Sequence, residues 1–163
     1  MNRRLLLALA ILLPTGMANA CGIVVLSDFR DAVGGAESVF VFHVTSLELY
    51  HEGGWPSFKG SIEITETLHG PKPRFNRVDV DGICSDIRLD VDGYYVAATS
   101  QVGRTLRIET MDPSVINVSD ELYFGTDIEG RSFSMKALRA YFRGTSLPDQ
   151  FPTAESVQRM HGG

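Results

Sequence analysis

Apolar and polar residues alternate along much of this chain with a two-residue period, which is the repeat of a β-strand. The clearest case is segment 61–70, where Ile62, Ile64 and Leu68 fall on one side and polar residues fall on the other. Segment 38–49 is dense in Val and Phe, which is typical of a strand buried on both faces at its start. The two segments together predict a long antiparallel hairpin.

Further strands are predicted on either side of short turns. Segment 51–57 contains two Gly and one Pro and is expected to form the hairpin loop. A turn at Asp92-Gly93 precedes the fourth strand, which is expected to pair with the fifth across residues 101–103. The pattern therefore predicts a mainly β, antiparallel barrel or sandwich. The five predicted strands are 38–49, 61–70, 76–80, 93–100 and 104–110.

Segment 132–143 changes to the helical period, and Gly144 is expected to end the helix. A turn or short helix is expected before the first strand and ends at Gly34-Gly35. The last residues, 145–163, are interpreted as a peripheral or disordered tail. The long helix has an apolar face of Met135, Leu138, Tyr141 and Phe142 and a solvated basic face of Lys136, Arg139 and Arg143.

Residues 1–20 have the pattern of a cleaved export signal. Two arginines precede an apolar run, Leu5–Leu13, of about nine residues, whereas a membrane-spanning helix needs roughly twenty. The small residues Ala18 and Ala20 then stand at the positions that a signal peptidase recognises. Cleavage there starts the mature chain at Cys21, in the periplasm or outside the cell. Attachment of a lipid to Cys21 is the alternative.

Composition limits the class of partner. Removal of the signal leaves 163 − 20 = 143 residues, and the loss of Arg3 and Arg4 gives a charge of 13 − 20 = −7. A mature chain of this length is the size of one domain. We expect the folded domain to span residues 21–144. The excess of acid argues against nucleic acid or an anionic membrane as the main partner.

The chain contains only two cysteines, Cys21 and Cys84. In an oxidising compartment such a pair predicts one disulfide. It would close a loop of about 64 residues, which the chain-entropy treatment values at roughly 4 kcal/mol. The bridge would also fix the mature N-terminus to the middle of the fold.

No motif in the chain predicts catalysis, a cofactor or a metal site of its own. The two Asp-Val-Asp-Gly stretches, 79–82 and 90–93, resemble calcium loops, but Gly comes fourth rather than sixth and no bidentate Glu follows. They are interpreted as turns at strand ends. No nucleophile elbow or phosphate-binding loop occurs in the sequence. Four histidines show no ligand spacing: His43, which is expected on a strand, and His51, His69 and His161.

Trp55 is the only tryptophan, and it lies in the Gly-rich segment 51–57. An exposed tryptophan is a frequent anchor of protein interfaces. A tryptophan that folds back over the barrel mouth would instead be structural, and both interpretations remain open.

The mature start at Cys21, the long hairpin, the Gly-Pro turn and the central Cys84 together resemble the netrin-like domain, the fold of the tissue inhibitors of metalloproteinases. The resemblance implies a five-stranded antiparallel OB-type barrel with flanking helices and a Cys21–Cys84 disulfide. The stretches that resemble the family are Cys21, ESVFVFHVTSLEL (37–49), FKGSIEITETLHGPK (58–72) and GICSDIRLDVDGYYVAATSQVG (82–103).

In these inhibitors the amine and carbonyl of the N-terminal cysteine chelate the catalytic zinc of a protease, a role that would fall here to Cys21. The chain departs from the inhibitors at two points. It lacks their second cysteine two residues after the first, and Gly22 offers no side chain to the specificity pocket of the protease.

The main hypothesis is an exported, non-enzymatic domain of this type that binds a partner protein. Its contact edge would comprise Cys21, Gly22, Ile23 and Trp55. One alternative is a metalloprotease inhibitor in which Cys21 is a ligand to the partner's zinc. Another is a glycan-binding OB-type module. No cofactor is expected, and no membrane contact unless Cys21 carries a lipid.

Overall fold

The computed structural model describes residues 29–52, 55–81, 87–109, 112–124, 134–148 and 151. Within these residues the fold is mainly β, as predicted. The strands are β1 (Ser38–Glu52), β2 (Trp55–His69), β3 (Arg77–Val80), β4 (Tyr94–Thr99), β5 (Thr105–Ile108) and β6 (Val115–Asn117). The helices are α1 (Phe29–Gly35), α2 (Ser119–Phe124) and α3 (Ser134–Tyr141).

The six strands form one sheet in the order β5-β3-β2-β1-β4-β6, and this sheet curls into a half-barrel. β3 and β5 run parallel, whereas every other neighbouring pair is antiparallel. The prediction of five strands, all antiparallel, is therefore wrong in strand number and in the direction of one pair. β6 was missed because its three residues are too few to show a period in the sequence.

The predicted pairing of the fourth strand with the fifth is also wrong. β4 lies between β1 and β6, and β5 pairs with β3 on the other side of the sheet. Residues 100–104 carry the chain between them, across one end of the half-barrel. This short connection suffices because the curl of the sheet brings its two sides towards each other.

The concave face of the sheet holds the first core. β1 contributes Phe40, Phe42 and Val44, all of which are fully buried. The rings of Phe42 and Tyr95 stack with centroids 5.5 Å apart, and Leu106 of β5 joins the same cluster. Apolar side chains from all six strands therefore fill the interior of the half-barrel.

The convex face holds a second core, under α1 and α3. Val39 and Val41 alternate along β1 with the residues of the first core, so the start of β1 is buried on both faces, as predicted. Phe29, Met135 and Leu138 cover them from the helices. The short helix expected before the first strand is confirmed as α1.

α3 lies within the predicted helix 132–143, and Met135 and Leu138 are buried as predicted. Arg139 is exposed, as predicted for the basic face, and it also donates two hydrogen bonds to the Glu66 carboxylate, at 3.0 and 2.6 Å. This pair attaches α3 to β2. No helix in the described part of the chain is long and apolar enough to cross a membrane.

The start of segment 145–163 belongs to the core. Leu147 and Phe151 are 8% and 3% exposed, and the ring of Phe151 stacks on Phe29 with centroids 6.1 Å apart. These two residues are therefore not peripheral, because their apolar side chains complete the second core. The rest of the predicted tail, residues 149–150 and 152–163, lies outside the described residues.

Strand pairing also extends into the predicted hairpin loop, 51–57. β1 and β2 remain paired as far as Glu52 and Trp55. The predicted loop is therefore too long, because His51 and Glu52 of β1 pair with residues 55–56 of β2, and Ser57 is paired as well. In sequence terms, Gly-Gly is one of the pairs that two-residue hairpin turns favour.

Candidate functional site

A cleft of about 460 Å³ opens at the end of the half-barrel where β1 begins and β4 ends. We call it the end cleft. One wall is formed by residues 71–75, which follow β2, and the other by residues 99–104, which connect β4 to β5. Glu37 and Ser38, at the start of β1, complete the lining. The volume lies within the roughly 300–1,000 Å³ of typical ligand sites.

Both walls are attached to the start of β1 by hydrogen bonds. The Ser38 hydroxyl donates to the Pro71 carbonyl at 3.0 Å, and the Glu37 N–H donates to the Ser100 hydroxyl at 3.2 Å. Because each wall is attached independently to the same strand, their separation is set by the fold before any ligand arrives.

Gly70 permits the close approach of the first wall to β1. Its φ is +71°, a conformation that residues with a side chain rarely adopt. A Cβ atom at this position would overlap the carbonyl oxygen of Glu37. The end of β2 can therefore lie directly against the start of β1 only because residue 70 is glycine.

The second wall is attached to β3 and β5. The Asn76 and Arg77 N–H groups both donate to the Arg104 carbonyl, at 3.0 and 3.1 Å. The side chain of Gln101 is hydrogen-bonded to the backbone of Arg107 in β5. Contacts at both ends of the 100–104 connection thus hold this wall in place.

Positive charge is concentrated around the end cleft. Lys72 and Arg74 lie on one wall and Arg104 on the other, and all three are exposed. Among the described residues, no carboxylate lies within 4.0 Å of their charged groups. Glu37 is the one acidic residue among the described residues of the lining. The cleft is therefore cationic, although the whole chain has a formal charge of −5.

The end cleft also offers apolar surface, but little aromatic surface. Val102, at the tip of the second wall, is 89% exposed, and Pro71 and Pro73 lie on the first wall. Phe75 is the aromatic residue of the lining, and it is only 4% exposed because it packs into the first core. A ligand would therefore meet aliphatic carbon and hydroxyl groups rather than an open ring face.

A second cleft, of about 550 Å³, lies beside β1, β2, β3 and β5 and has balanced charge. Four residues of alternating sign lie in one row across these strands: Glu48, Lys59, Asp79 and Arg107. Lys59 Nζ lies 4.0 Å from the Glu48 carboxylate and 5.0 Å from the ring centre of Tyr50. Because the described lining of this cleft has two cations, Lys59 and Arg77, and two carboxylates, Glu48 and Asp79, it favours neither anions nor cations.

Most of the predicted contact edge lies outside the described residues: Cys21, Gly22 and Ile23, together with the predicted disulfide partner Cys84. The pairing of the two cysteines, and the role of Cys21 as a ligand to a partner's zinc, therefore stay predictions. The backbone of Trp55 is described and pairs with Glu52 at the hairpin tip, at the end of the half-barrel opposite the end cleft. The structure therefore does not bring Trp55 to the cleft.

His43 lies on β1 beside the turn formed by the second Asp-Val-Asp-Gly stretch. Its Nε2 is 3.5 Å from Asp92 Oδ1, and its ring stacks on Tyr94 with centroids 4.6 Å apart. Asp92 has a φ of 67°, which confirms the predicted turn. Within the ranges that the structure describes, no group of three or more His, Cys, Asp or Glu residues could hold a metal ion.

Tyr95 is the described residue whose titration the fold alters most clearly. Its hydroxyl accepts a hydrogen bond from the Asp90 N–H at 2.8 Å and donates to the Arg88 carbonyl at 3.2 Å. Burial raises the pKa of Tyr95 to about 12, helped by the nearby negative charge of Asp90. This group holds segment 88–90 against the first core, and Tyr95 itself is not part of the lining of the end cleft.

Comparison of the sequence with protein-family models and with curated proteins finds no match. Function is therefore inferred from the geometry of the chain itself.

Proposed function

We propose that the protein is an exported, netrin-like binding domain without a reaction of its own, and that it holds a partner protein at the end cleft. The observation on which this proposal rests is the construction of the cleft. Its two walls are fixed to β1 by separate hydrogen bonds, and the cations on them have no carboxylate partner among the described residues. A preformed concave site with a few convergent polar groups is the usual form of a ligand site.

An OB-type barrel is the architecture that we propose for this domain. Support comes from the strand order β3-β2-β1-β4, in which three consecutive strands are followed by a fourth that lies beside the first, as in a Greek key. OB folds are partly open Greek-key barrels that use the connection between their fourth and fifth strands in ligand binding. In this chain that connection, residues 100–104, belongs to one wall of the end cleft.

Contact through Cys21 is a separate prediction. The chain leaves β3 at Val80, at the end of the half-barrel opposite the end cleft, and Cys84 follows four residues later. Binding at the end cleft would therefore not require the zinc-chelating geometry of the metalloprotease inhibitors.

The proposal is tested by photo-crosslinking in the organism that produces the protein. A photoreactive phenylalanine derivative replaces Val102, which is 89% exposed at the cleft, or Val91, which is 51% exposed at the opposite end of β4. Both sites are surface valines in turns or connections, so neither substitution removes a core contact.

We expect a discrete crosslinked protein from position 102 and none from position 91. The same adduct from both positions, or no adduct from position 102 in cells that export the protein, would contradict the end cleft as the contact surface.

A further inference from the structure

We propose that the end cleft recognises an acidic peptide segment of its partner, through Lys72, Arg74 and Arg104. This inference rests on the proposed function, because it names the chemistry of the ligand at the same site. It does not depend on Cys21 or on the predicted disulfide.

The first step is the local reversal of charge. The chain as a whole has 20 acidic residues against 15 lysines and arginines, yet the part of the lining that the structure describes has three of these cations and one carboxylate, Glu37. A cleft with charge of one sign concentrates field lines and attracts ligands of the opposite sign. The ligand is therefore expected to carry negative charge.

The second step is the identity and placement of the cations. Arg74 and Arg104 stand on opposite walls, and a guanidinium group offers a planar set of N–H donors that matches a carboxylate. Two arginines that face the same cleft from different loops can bind successive carboxylates along an extended chain. The ammonium group of Lys72 adds a further positive charge beside Arg74.

The third step excludes long polyanions. A nucleic acid or a long sulfated glycan would extend beyond the cleft onto the rest of a chain in which 20 acidic residues outnumber 15 lysines and arginines, so that net repulsion would oppose its binding. Single-stranded nucleic acids also bind by stacking on exposed aromatic side chains. Phe75, the aromatic residue of the lining, is 4% exposed and offers no such face.

The fourth step concerns the uncharged part of the lining. Val102, Pro71 and Pro73 provide aliphatic surface, and the nearby Ser100 provides a hydroxyl group. A peptide has both the aliphatic side chains and the backbone N–H and C=O groups that such a surface can contact. A short acidic peptide segment therefore matches the charge, the length and the mixed polarity of the cleft.

The test uses the full exported chain and a fluorescein-labelled peptide of alternating glutamate and alanine, with binding followed by fluorescence anisotropy. The matched peptide has glutamine in place of every glutamate. The variants are Arg74→Gln and Arg104→Gln, and the control is Arg143→Gln, which removes the same charge from an exposed position after α3. Circular dichroism and thermal unfolding establish that each variant is folded.

We expect the glutamate peptide to bind, the glutamine peptide not to bind, and added salt to weaken binding. Each cleft variant should lower the affinity about tenfold, in keeping with the loss of one hydrogen-bonded charge, while the control variant binds like the parent chain. Equal loss in the control variant would overturn the proposal, because it would indicate attraction by net charge alone.

Binding of a sulfated oligosaccharide in place of the glutamate peptide would also overturn it, in favour of a glycan ligand. If no acidic peptide binds although position 102 crosslinks to a protein, the peptide chemistry is wrong and the proposed binding function stands. If neither is observed, both are wrong.

Discussion

The side-chain amide of Gln101 pairs with both backbone groups of Arg107. Gln101 Nε2 donates to the Arg107 carbonyl at 2.7 Å, and the Arg107 N–H donates to Gln101 Oε1 at 3.0 Å. The side chain thereby occupies a position on β5 that a neighbouring strand would otherwise fill. It protects the edge of β5 and fixes one wall of the end cleft at the same time.

Replacement of Gln101 by alanine should expose this edge. Two exposed hydrogen bonds are lost, and we expect the free energy of unfolding to fall by about 1 kcal/mol. Amide hydrogen exchange at Arg107 should accelerate by more than global destabilisation explains. Urea unfolding and exchange measured by NMR check both effects.

Val102→Ala is the matched control, because Val102 is the next residue in the connection and its side chain is almost fully exposed. Val102→Ala should leave the free energy of unfolding and the amide exchange rate at Arg107 unchanged. Unchanged exchange at Arg107 in Gln101→Ala would show that the amide does not protect β5 in solution.

Gly60 should tolerate no side chain. The β1–β2 pairing shifts register between Val44 and Ser46, and a Cβ atom at residue 60 would overlap the Ser46 carbonyl and lie 2.9 Å from Leu47 Cδ2. We expect Gly60→Ala to lower the free energy of unfolding by about 1–3 kcal/mol, the usual range for overpacking. Chemical denaturation measures the change.

Gly34→Ala is the control for this prediction. A Cβ atom there meets no other atom within 4 Å, and the position lies in α1. Alanine should leave stability unchanged or raise it by up to about 1 kcal/mol, because glycine is a poor helix former. A loss in Gly34→Ala as large as that in Gly60→Ala would contradict the packing argument.

Stability should fall at alkaline pH in a way that depends on Tyr95. Its pKa is raised from an ordinary value of 10.0 to about 12, so the unfolded chain loses this proton at a lower pH than the folded chain. Below pH 10 the neutral Tyr95 hydroxyl makes its full contribution to the free energy of unfolding. This contribution is lost as the pH rises towards 12. The loss is of the order of 2 kcal/mol.

Tyr95→Phe removes this titration. At neutral pH the variant should be less stable by about 1–2 kcal/mol, because the Asp90 N–H loses its acceptor. Between pH 9 and 11.5, a range chosen around the ordinary tyrosine pKa of about 10, the difference between variant and parent should shrink. A constant difference in the free energy of unfolding between variant and parent over that range would contradict the raised pKa of Tyr95.

The N-terminal predictions have a separate test. If Ala18 and Ala20 mark the predicted cleavage site and the two cysteines pair as predicted, the protein should have the mass of residues 21–163 less two hydrogens. Intact-mass spectrometry measures this directly. An added lipid mass, or two thiols that react with an alkylating reagent without reduction, would contradict it.

Periodicity predicted the elements whose side chains alternate between a core and solvent, or between two cores. Segment 61–70 became part of β2, and the apolar residues of segment 38–49 became the start of β1, which is buried on both faces. Helix α3 was also predicted, because Met135 and Leu138 repeat at the helical period. These patterns are local, so they are visible in one sequence.

Strand neighbours could not be predicted in the same way. Nothing in segment 104–110 shows that it lies beside β3 rather than β4, because the choice depends on the curl of the whole sheet. The short distance in sequence between β4 and β5 favoured a hairpin that does not form. The parallel pair was therefore missed.

The end cleft was missed because its residues are distant in sequence. Lys72 and Arg74 lie in a Pro-rich turn after the second strand, and Arg104 lies after a separate turn. Each looks like an ordinary surface cation by itself. The available signal was the predicted alternation of strand direction, which already places both turns at the same end of the sheet.

The most direct test of the end cleft as the binding surface is NMR titration of the isotope-labelled protein with the alternating glutamate–alanine peptide. The amide signals that shift should be those of residues 37–38, 72, 74–75 and 99–104, with Arg74 and Arg104 among the most affected. Shifts centred on the hairpin tip near Trp55 or on residues 21–23, with the end cleft unchanged, would contradict it.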